Sequence, residues 1–354
     1  MGNDTADNRR YQNILEGIPV LGICGYSGAG KTTLIEAMVQ KQSSLSRRIC
    51  VLKHDVHPLS VDVKGKDSFR IFEAGADVHL QNVTQSFFRE HGDGQHSVIE
   101  TIQMLAPRYD GFLLEGHKQT NIPHKIWLQH PESRDVPEAP FGFVRVLDRN
   151  AQRLEAASDE FENLMRHTWT RGRVSAALLI GGDSRRFGRP KHLMESMGTT
   201  WLEKTVAIIR PFVDQLVIIG KGVLPKAAGE LPRLWDVPDA AGPIAGMRAA
   251  FRWDPGSSWV MMPCDLPYIT EEAVEWLLSQ RAVGREAVLP VLKDGAPVEP
   301  LFAFYDYRCG PLMERLDSPR RIADVARTHM PVVPTTLSVA WTNVNSPEDL
   351  SSDS

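Results

Sequence analysis

The segment IPVLGICGYSGAGKTT (18–33) constrains this chain more than any other. Its apolar run at 18–24 reads as a strand and its glycines as a tight loop. KTTLIEAMVQ (31–40) reads as a helix, with Leu34, Met38 and Val39 spaced to face a core. Between them, Gly25 to Thr32 fit GxxxxGK[ST], the pattern of a phosphate-binding P-loop, in the strand–loop–helix setting such a loop needs. Glycines let the backbone wrap a polyphosphate while N–H groups and the helix N-terminus face its charge. The candidate nucleotide contacts are Gly25, Ser27, Gly28, Gly30, Lys31, Thr32 and Thr33, with Lys31 reaching the outer phosphates and Thr32 holding Mg2+. A carboxylate at a neighbouring strand end completes such a metal site. Glu115, closing GFLLEG, is the first candidate and Asp55 the second; the plain alternative for each is a solvated acid.

Further apolar or β-branched runs lie at 49–54, 77–83, 111–116, 125–130 and 141–147, with helical stretches at 66–75 and 97–106, which predicts an α/β sheet with helices on both faces. Residues 151–173 start as a helix and end in a polar, arginine-bearing stretch, so a domain boundary with a short linker is expected near residue 170. VSAALLIGG (174–182) then opens a second strand, glycine-loop and helix series, with further strands expected at 215–220, 258–264 and 286–291. The length of 354 residues agrees with two domains at roughly 100–200 residues each. The expected organisation is a polar tail (1–17), a P-loop NTPase-type three-layer domain (18–170) and a Rossmann-like nucleotidyltransferase domain (171–354).

A net charge of −4 argues against general affinity for nucleic acid or an anionic membrane, while leaving room for local phosphate pockets. No apolar run approaches the ~20 residues that span a bilayer, and the polar start lacks a secretory apolar core, so a cytoplasmic protein is expected. The cysteines at 24, 50, 264 and 309 form no CxxC pair, which points to reduced structural thiols rather than zinc or disulfides.

In the second half, the loop Leu179 to Lys191 follows a strand. Gly181 and Gly182 let the backbone approach a base and triphosphate, and Arg185, Arg186 and Lys191 supply positive charge. Nucleotidyl transfer requires an α-phosphate held in line with the attacking oxygen and neutralised charge on the leaving pyrophosphate. Asp265, directly after WVMMPC, is the candidate Mg2+ ligand, which makes Lys191, Asp265, Arg185 and Arg186 the candidate catalytic set. The structural alternative, that Asp265 caps the helix at 270–278, is weakened because Thr270 is better placed. Cys264 reads as a packed small side chain.

The blocks GYSGAGKTT, VLKHDVH, KGKDSFRIFEAGA and LLEGHK, in that order over about residues 18–130, resemble MobB, the GTP-binding accessory protein of molybdopterin guanine dinucleotide synthesis. That resemblance implies nucleotide and metal binding by Lys31, Thr32 and Glu115, with Lys53, His54 and Asp55 lining the same pocket; His117 stands where the family usually has an aromatic residue. From about 174 to 350 the chain resembles MobA, the molybdenum cofactor guanylyltransferase. The resemblance lies in the glycine loop, Asp236 and Asp239 leading to GPIAGM (242–247), PCDLPYI (263–269) and NVNSPEDL (343–350). It implies that Leu179, Gly181, Gly182 and Lys191 hold GTP, that Asp236 contacts the guanine nucleotide, that Asp265 holds Mg2+, and that Asn343 and Asn345 lie toward the pterin.

The joint resemblance implies transfer of GMP from GTP to Mo-molybdopterin with release of pyrophosphate, assisted by a fused GTP-binding domain of weak GTPase activity. It also implies molybdoenzyme apoproteins or their chaperones as partners and a homodimer through the N-terminal domain. Ile180 replaces the usual Ala of the loop, and Pro190 stands where many relatives have Asp, a feature shared with cytidylyltransferases; Gly182 leaves room for guanine. Cytidylyl or sugar-phosphate transfer, and a nucleotide-gated cofactor-delivery adaptor, stay open as alternatives. The cluster HGDGQH (91–96) reads as a solvated loop, and the tryptophans as packed or rim residues.

Overall fold

A computed structural model of the chain describes residues 15, 17–53, 62–91, 97–150, 152–181, 190–196 and 198–344. In the first half, strands β1 (Val20–Gly25), β2 (Ile49–Lys53), β5 (Gly111–Glu115), β6 (Lys125–Leu128) and β7 (Arg145–Leu147) form a parallel sheet in the order β2-β5-β1-β6-β7. Every residue of β5 and β6 is buried, as is all of β1 except Gly25, which is why these runs read as continuously apolar. Helix α1 (Lys31–Ser44) links β1 to β2 and helix α3 (Val98–Leu105) precedes β5, whereas β5, β6 and β7 are joined by segments without a helix. The start of α3 is written in the sequence. Ser97 accepts from the Glu100 N–H, and the Glu100 carboxylate accepts from the Ser97 N–H, a reciprocal pair that satisfies two helix-end donors.

The expected strand at 77–83 does form as β3 (Val78–Gln81), but outside the main sheet. It pairs antiparallel with β4 (Ser86–Arg89), and helix α2 (Asp67–Glu73) accompanies the hairpin. Only Val78 of β3 is buried, so the hairpin lacks the two covered faces of the main strands. The run at 141–147 is extended only over its last three residues, as the exposed edge strand β7.

The boundary region differs most from expectation. Helix α4 runs unbroken from Arg153 to Arg171, including the polar stretch expected as a linker. Ala157, Phe161, Met165 and Trp169 are buried at four-residue spacing, so one stripe of the helix is core. Its last turn is held by Arg281, whose guanidinium donates to the carbonyls of Thr170 and Gly172, placing positive charge at the helix C-terminus. The described residues divide into two compact units: the first holds 15 and 20–158, and the second holds 17–19 and the chain from Asp159, so the main division falls within α4 rather than after it.

The second unit is built on a seven-stranded sheet, ordered β12-β11-β8-β13-β15-β14-β16. Its strands are β8 (Val174–Leu179), β11 (Gln215–Ile219), β12 (Arg233–Leu234), β13 (Ser258–Pro263), β14 (Ala287–Val288), β15 (Ala303–Tyr305) and β16 (Thr328–His329); β9 (Glu195–Ser196) and β10 (Thr199–Thr200) form a separate small ladder. The first four are parallel, and β15 runs antiparallel to both β13 and β14. The strand expected at 286–291 extends only over Ala287–Val288. Alternate residues of β8 and β11 feed two cores. Ala176, Leu178, Leu216 and Ile218 pack on the face of helices α5 (Trp201–Ile209) and α7 (Glu271–Ser279). Ala177, Val217 and Ile219 pack on that of α6 (Pro243–Trp253).

Candidate functional site

The first candidate site sits where β1 passes into α1. Gly30 is the N-cap of α1 with φ +86° and ψ 25°, a left-handed conformation that costs any residue with a Cβ about 1 kcal/mol or more. No side chain caps α1, so its first N–H groups stay available to an anion. Ser27, Gly28, Gly30, Thr32 and Thr33 are exposed around the buried Ala29, so the loop opens to solvent. Lys31 Nζ donates to the carbonyls of Gly25 (3.0 Å) and Tyr26 (2.9 Å), folded back over the loop.

Thr32 and Glu115, far apart in sequence, meet here: the Thr32 hydroxyl donates to Glu115 Oε1 at 2.8 Å. Lys53 Nζ lies 3.7 Å from the same oxygen. The β2-β5-β1 order causes this meeting, because β5 lies between the other two and Glu115 stands in register with Lys53 of β2 on one side and Ile23 of β1 on the other. A hydroxyl and a carboxylate are hard oxygen donors of the kind Mg2+ takes while keeping waters and phosphate oxygens. His54, Asp55 and His57 lie outside the described residues.

Two buried side chains hold the turn after Glu115, and neither was singled out from sequence for this role. The Cys24 thiol, which burial pushes up to about 11, donates to the Gly116 carbonyl at 2.9 Å. Lys125, fully buried, donates from Nζ to the carbonyls of Lys118 and Thr120, both at 3.1 Å, and burial lowers its pKa. A lysine opening an apolar strand carries no local signal of such a role.

The second candidate site is a cavity of about 460 Å3 at the carboxyl ends of β8, β11 and β13, where ligands bind in open α/β sheets. Leu179, Gly181, Lys191, Asp236, Asp265 and Asn343 all line it, from five separated stretches of chain. Gly182, Arg185, Arg186 and Asn345 lie outside the described residues. Lys191 Nζ donates to Asp265 Oδ2 at 3.0 Å, so the candidate cation and the candidate metal ligand are paired directly. Thr270 caps α7 by accepting from the Ala273 N–H at 3.3 Å, which leaves Asp265 without that structural task. Burial raises the pKa of Asp236, partly opposed by Lys221. Burial likewise pushes the Cys264 thiol up to about 11, as expected of a packed rather than reactive side chain.

Packing sets the shape of this cavity. A Cβ on Gly246 would sit 2.9 Å from Leu179 Cδ2 and 3.3 Å from Asp236 Oδ1, so glycine lets α6 approach the wall without displacing either side chain. The C-terminal segment is pinned by Trp341, which stacks on Phe302 with ring centroids 4.3 Å apart and donates from Nε1 to the Phe302 carbonyl at 3.0 Å. Val344 N–H then donates to the Asp265 carbonyl at 3.1 Å, and the adjacent Asn343 reaches the cavity. Asp239 lies away from the cavity, its carboxylate held by Arg252 at 2.8 Å and 3.1 Å and by Arg248 at 3.5 Å. Ile219, Pro243 and Leu301 also line the wall; Pro243 and Gly246 belong to the GPIAGM block, whereas Leu301 carries no signal of its own.

Two family models match the chain: molybdopterin guanine dinucleotide synthesis protein B over residues 20–140, and the MobA-like NTP transferase domain over 176–332. The molybdopterin-guanine dinucleotide biosynthesis adapter protein of Haemophilus influenzae is 35% identical over 173 residues, covering 42% of this chain and 91% of that protein. A protein of Bacillus mycoides named as a molybdenum cofactor guanylyltransferase is 28% identical over 141 residues, 38% of this chain and 70% of that protein. Among solved structures, molybdopterin-guanine dinucleotide biosynthesis protein A from Archaeoglobus fulgidus is 25% identical with a TM-score of 0.38, covering 49% of this chain and 94% of that one. The chain belongs to the MobB adapter family through its first half and carries a MobA-like nucleotidyltransferase domain in its second.

Proposed function

We propose that the chain is a molybdenum cofactor guanylyltransferase with a fused GTP-binding domain, transferring GMP from GTP to Mo-molybdopterin to give molybdopterin guanine dinucleotide and pyrophosphate. One observation carries this reading: Leu179, Gly181, Lys191, Asp236, Asp265 and Asn343 converge on one cavity at the strand ends of a nucleotidyltransferase domain. Leu179 and Gly181 form the wall against which the nucleotide lies, and Asp236 contacts the guanine end. Lys191 neutralises phosphate charge, and Asn343 faces the acceptor. The terminal phosphate oxygen of the pterin attacks the α-phosphorus in line as the bond to pyrophosphate breaks. Two anions must meet, so the positive charge of Lys191, with that of Arg185 and Arg186 from the same loop sequence, lowers the barrier. Asp265 has the hard oxygen donors and strand-end position to hold Mg2+, which when bound would supply further charge neutralisation between the reacting phosphates.

The first unit binds GTP on its P-loop, with Thr32 and Glu115 holding Mg2+ and Lys31 moving from the loop carbonyls to the outer phosphates. Exposed Ile71, Leu80, Val83 and Phe88 on and beside the β3–β4 hairpin support a homodimer through this unit. Molybdoenzyme apoproteins or their chaperones are the partners that fit an adapter. No helix among the described residues is long and apolar enough to cross a membrane, and we place the chain in the cytoplasm.

The test is transfer of label from α-32P-labelled nucleotide to Mo-molybdopterin. Transfer from GTP is expected. Transfer from CTP alone would overturn the guanine assignment, and label reaching only a sugar phosphate would overturn the acceptor.

A further inference from the structure

Arg153, the first residue of α4, is 8% exposed, so its guanidinium is almost wholly removed from water. Its donors go to main-chain carbonyls: Nε to Asp148 (2.7 Å), Nη1 to Ala29 (2.8 Å), and Nη2 to Gln129 (3.2 Å) and Leu147 (3.1 Å). Burial lowers its pKa, with nearby Arg149 adding to the cost and Asp148 opposing it. A buried charge held this way is expensive to keep, and a lysine could not span four carbonyls set around a plane.

The Ala29 carbonyl gives this arrangement a consequence for function. Ala29 and Gly30 share one peptide plane inside the P-loop, and in a trans peptide the C=O and N–H point in opposite directions. Holding the oxygen toward Arg153 turns the Gly30 N–H the other way, and positive charge on the oxygen polarises the peptide and strengthens that N–H as a donor. Nη1 lies only 3.7 Å from where a Cβ on Gly30 would stand, so the guanidinium is seated directly against this peptide.

We infer that Arg153 is a positioning residue of the first nucleotide site, which aims the Gly30 N–H at a bound phosphate and strengthens it by holding the Ala29 carbonyl. The inference rests on the reading of the first unit as a nucleotide-binding P-loop domain. It adds to that loop an element supplied from far along the chain, at the start of the helix that continues into the second unit.

The test titrates Mg-GDP into the full chain, labelled so that the amide of the Ala29–Gly30 peptide is followed by NMR; this reads the first site alone even if GDP also enters the second. In the native chain the Gly30 amide moves downfield on binding. Arg153→Gln is expected to weaken binding about tenfold and to shrink that movement, and Arg153→Lys to recover part of both. Unchanged affinity and an unchanged Gly30 shift in Arg153→Gln would overturn the inference. Should that variant not fold, Arg153→Lys alone decides: about threefold weaker binding with a reduced shift supports the role, and native values overturn it. Lys31→Ala, run in parallel, separates the two layers. If it weakens binding while the Arg153 variants do not, only the inference falls; if it binds like the native chain, the P-loop reading falls and takes the inference with it.

Discussion

The two candidate nucleotide sites meet the same electrostatic problem with different materials. In the first, an exposed loop and an uncapped helix N-terminus offer main-chain N–H groups, and the carboxylate Glu115 is reached by a threonine hydroxyl 2.8 Å away. In the second, a cavity of about 460 Å3 is walled by side chains from separated stretches, and Lys191 meets Asp265 directly at 3.0 Å. Main-chain donors grip any polyphosphate and say little about the rest of the ligand. Side-chain walls can distinguish a base and a second substrate. On the proposed reading, the contrast gives phosphate gripping to the first unit and selective group transfer to the second.

The sharpest way to break this contrast is Asp265→Ala, expected to lower guanylyl transfer about a thousandfold while leaving the Gly30 amide response to Mg-GDP unchanged. A transfer rate within threefold of native would show that the cavity does not depend on that carboxylate. The next test asks where the second region begins. A chain starting at Arg171 loses Phe161, Met165 and Trp169, all buried, whereas one starting at Arg153 keeps them. Losing a buried aromatic costs about 3–5 kcal/mol, so thermal unfolding of the shorter chain should fall by more than about 10 °C relative to the longer one. Equal midpoints would return the boundary to residue 170.

A smaller effect is expected from Gly246→Ala, where the new methyl meets Leu179 and Asp236. Steady-state kinetics should show KM for GTP raised about tenfold with kcat less affected, because the wall rather than the reacting centre is displaced. The smallest expected effect is on stability through Asp236. Its raised pKa means the folded state holds the proton more tightly than the unfolded chain does. That contribution to stability is present below the ordinary aspartate pKa and is lost as pH rises through the raised value. Because Asp236 keeps much of its solvent contact, Asp236→Asn should raise the melting temperature at neutral pH only slightly, with the difference vanishing in acid, while weakening GTP binding. A difference independent of pH would assign the gain to something other than the partly desolvated carboxylate.

Much of both candidate sites was legible because the loops that build them depend on short local patterns. Gly25 to Thr32 announce a loop between strand and helix, and Asp265 follows an apolar run; each pattern needs only neighbours in sequence. The sequence suggests a linker near residue 170, whereas α4 continues to Arg171; polar residues on the outer faces of the helix mask the four-residue stripe Ala157, Phe161, Met165 and Trp169. The run at 286–291 was read too long because apolar content alone does not separate a paired strand from other buried backbone. Arg153 and Lys125 gave no signal, since a charged residue beside apolar ones reads as surface until its carbonyl partners are known.

By itself the sequence determined the α/β class, the two candidate phosphate loops and the residue types proposed to serve them. All of these follow from interactions between residues close in the chain. Only the tertiary structure decided that Glu115 meets Thr32, that Lys191 pairs with Asp265, that Asn343 shares a wall with Leu179, and that Arg153 reaches Ala29. Those pairings depend on strand order and on which side chains burial leaves facing one another, quantities set by the whole fold rather than by any local run of residues.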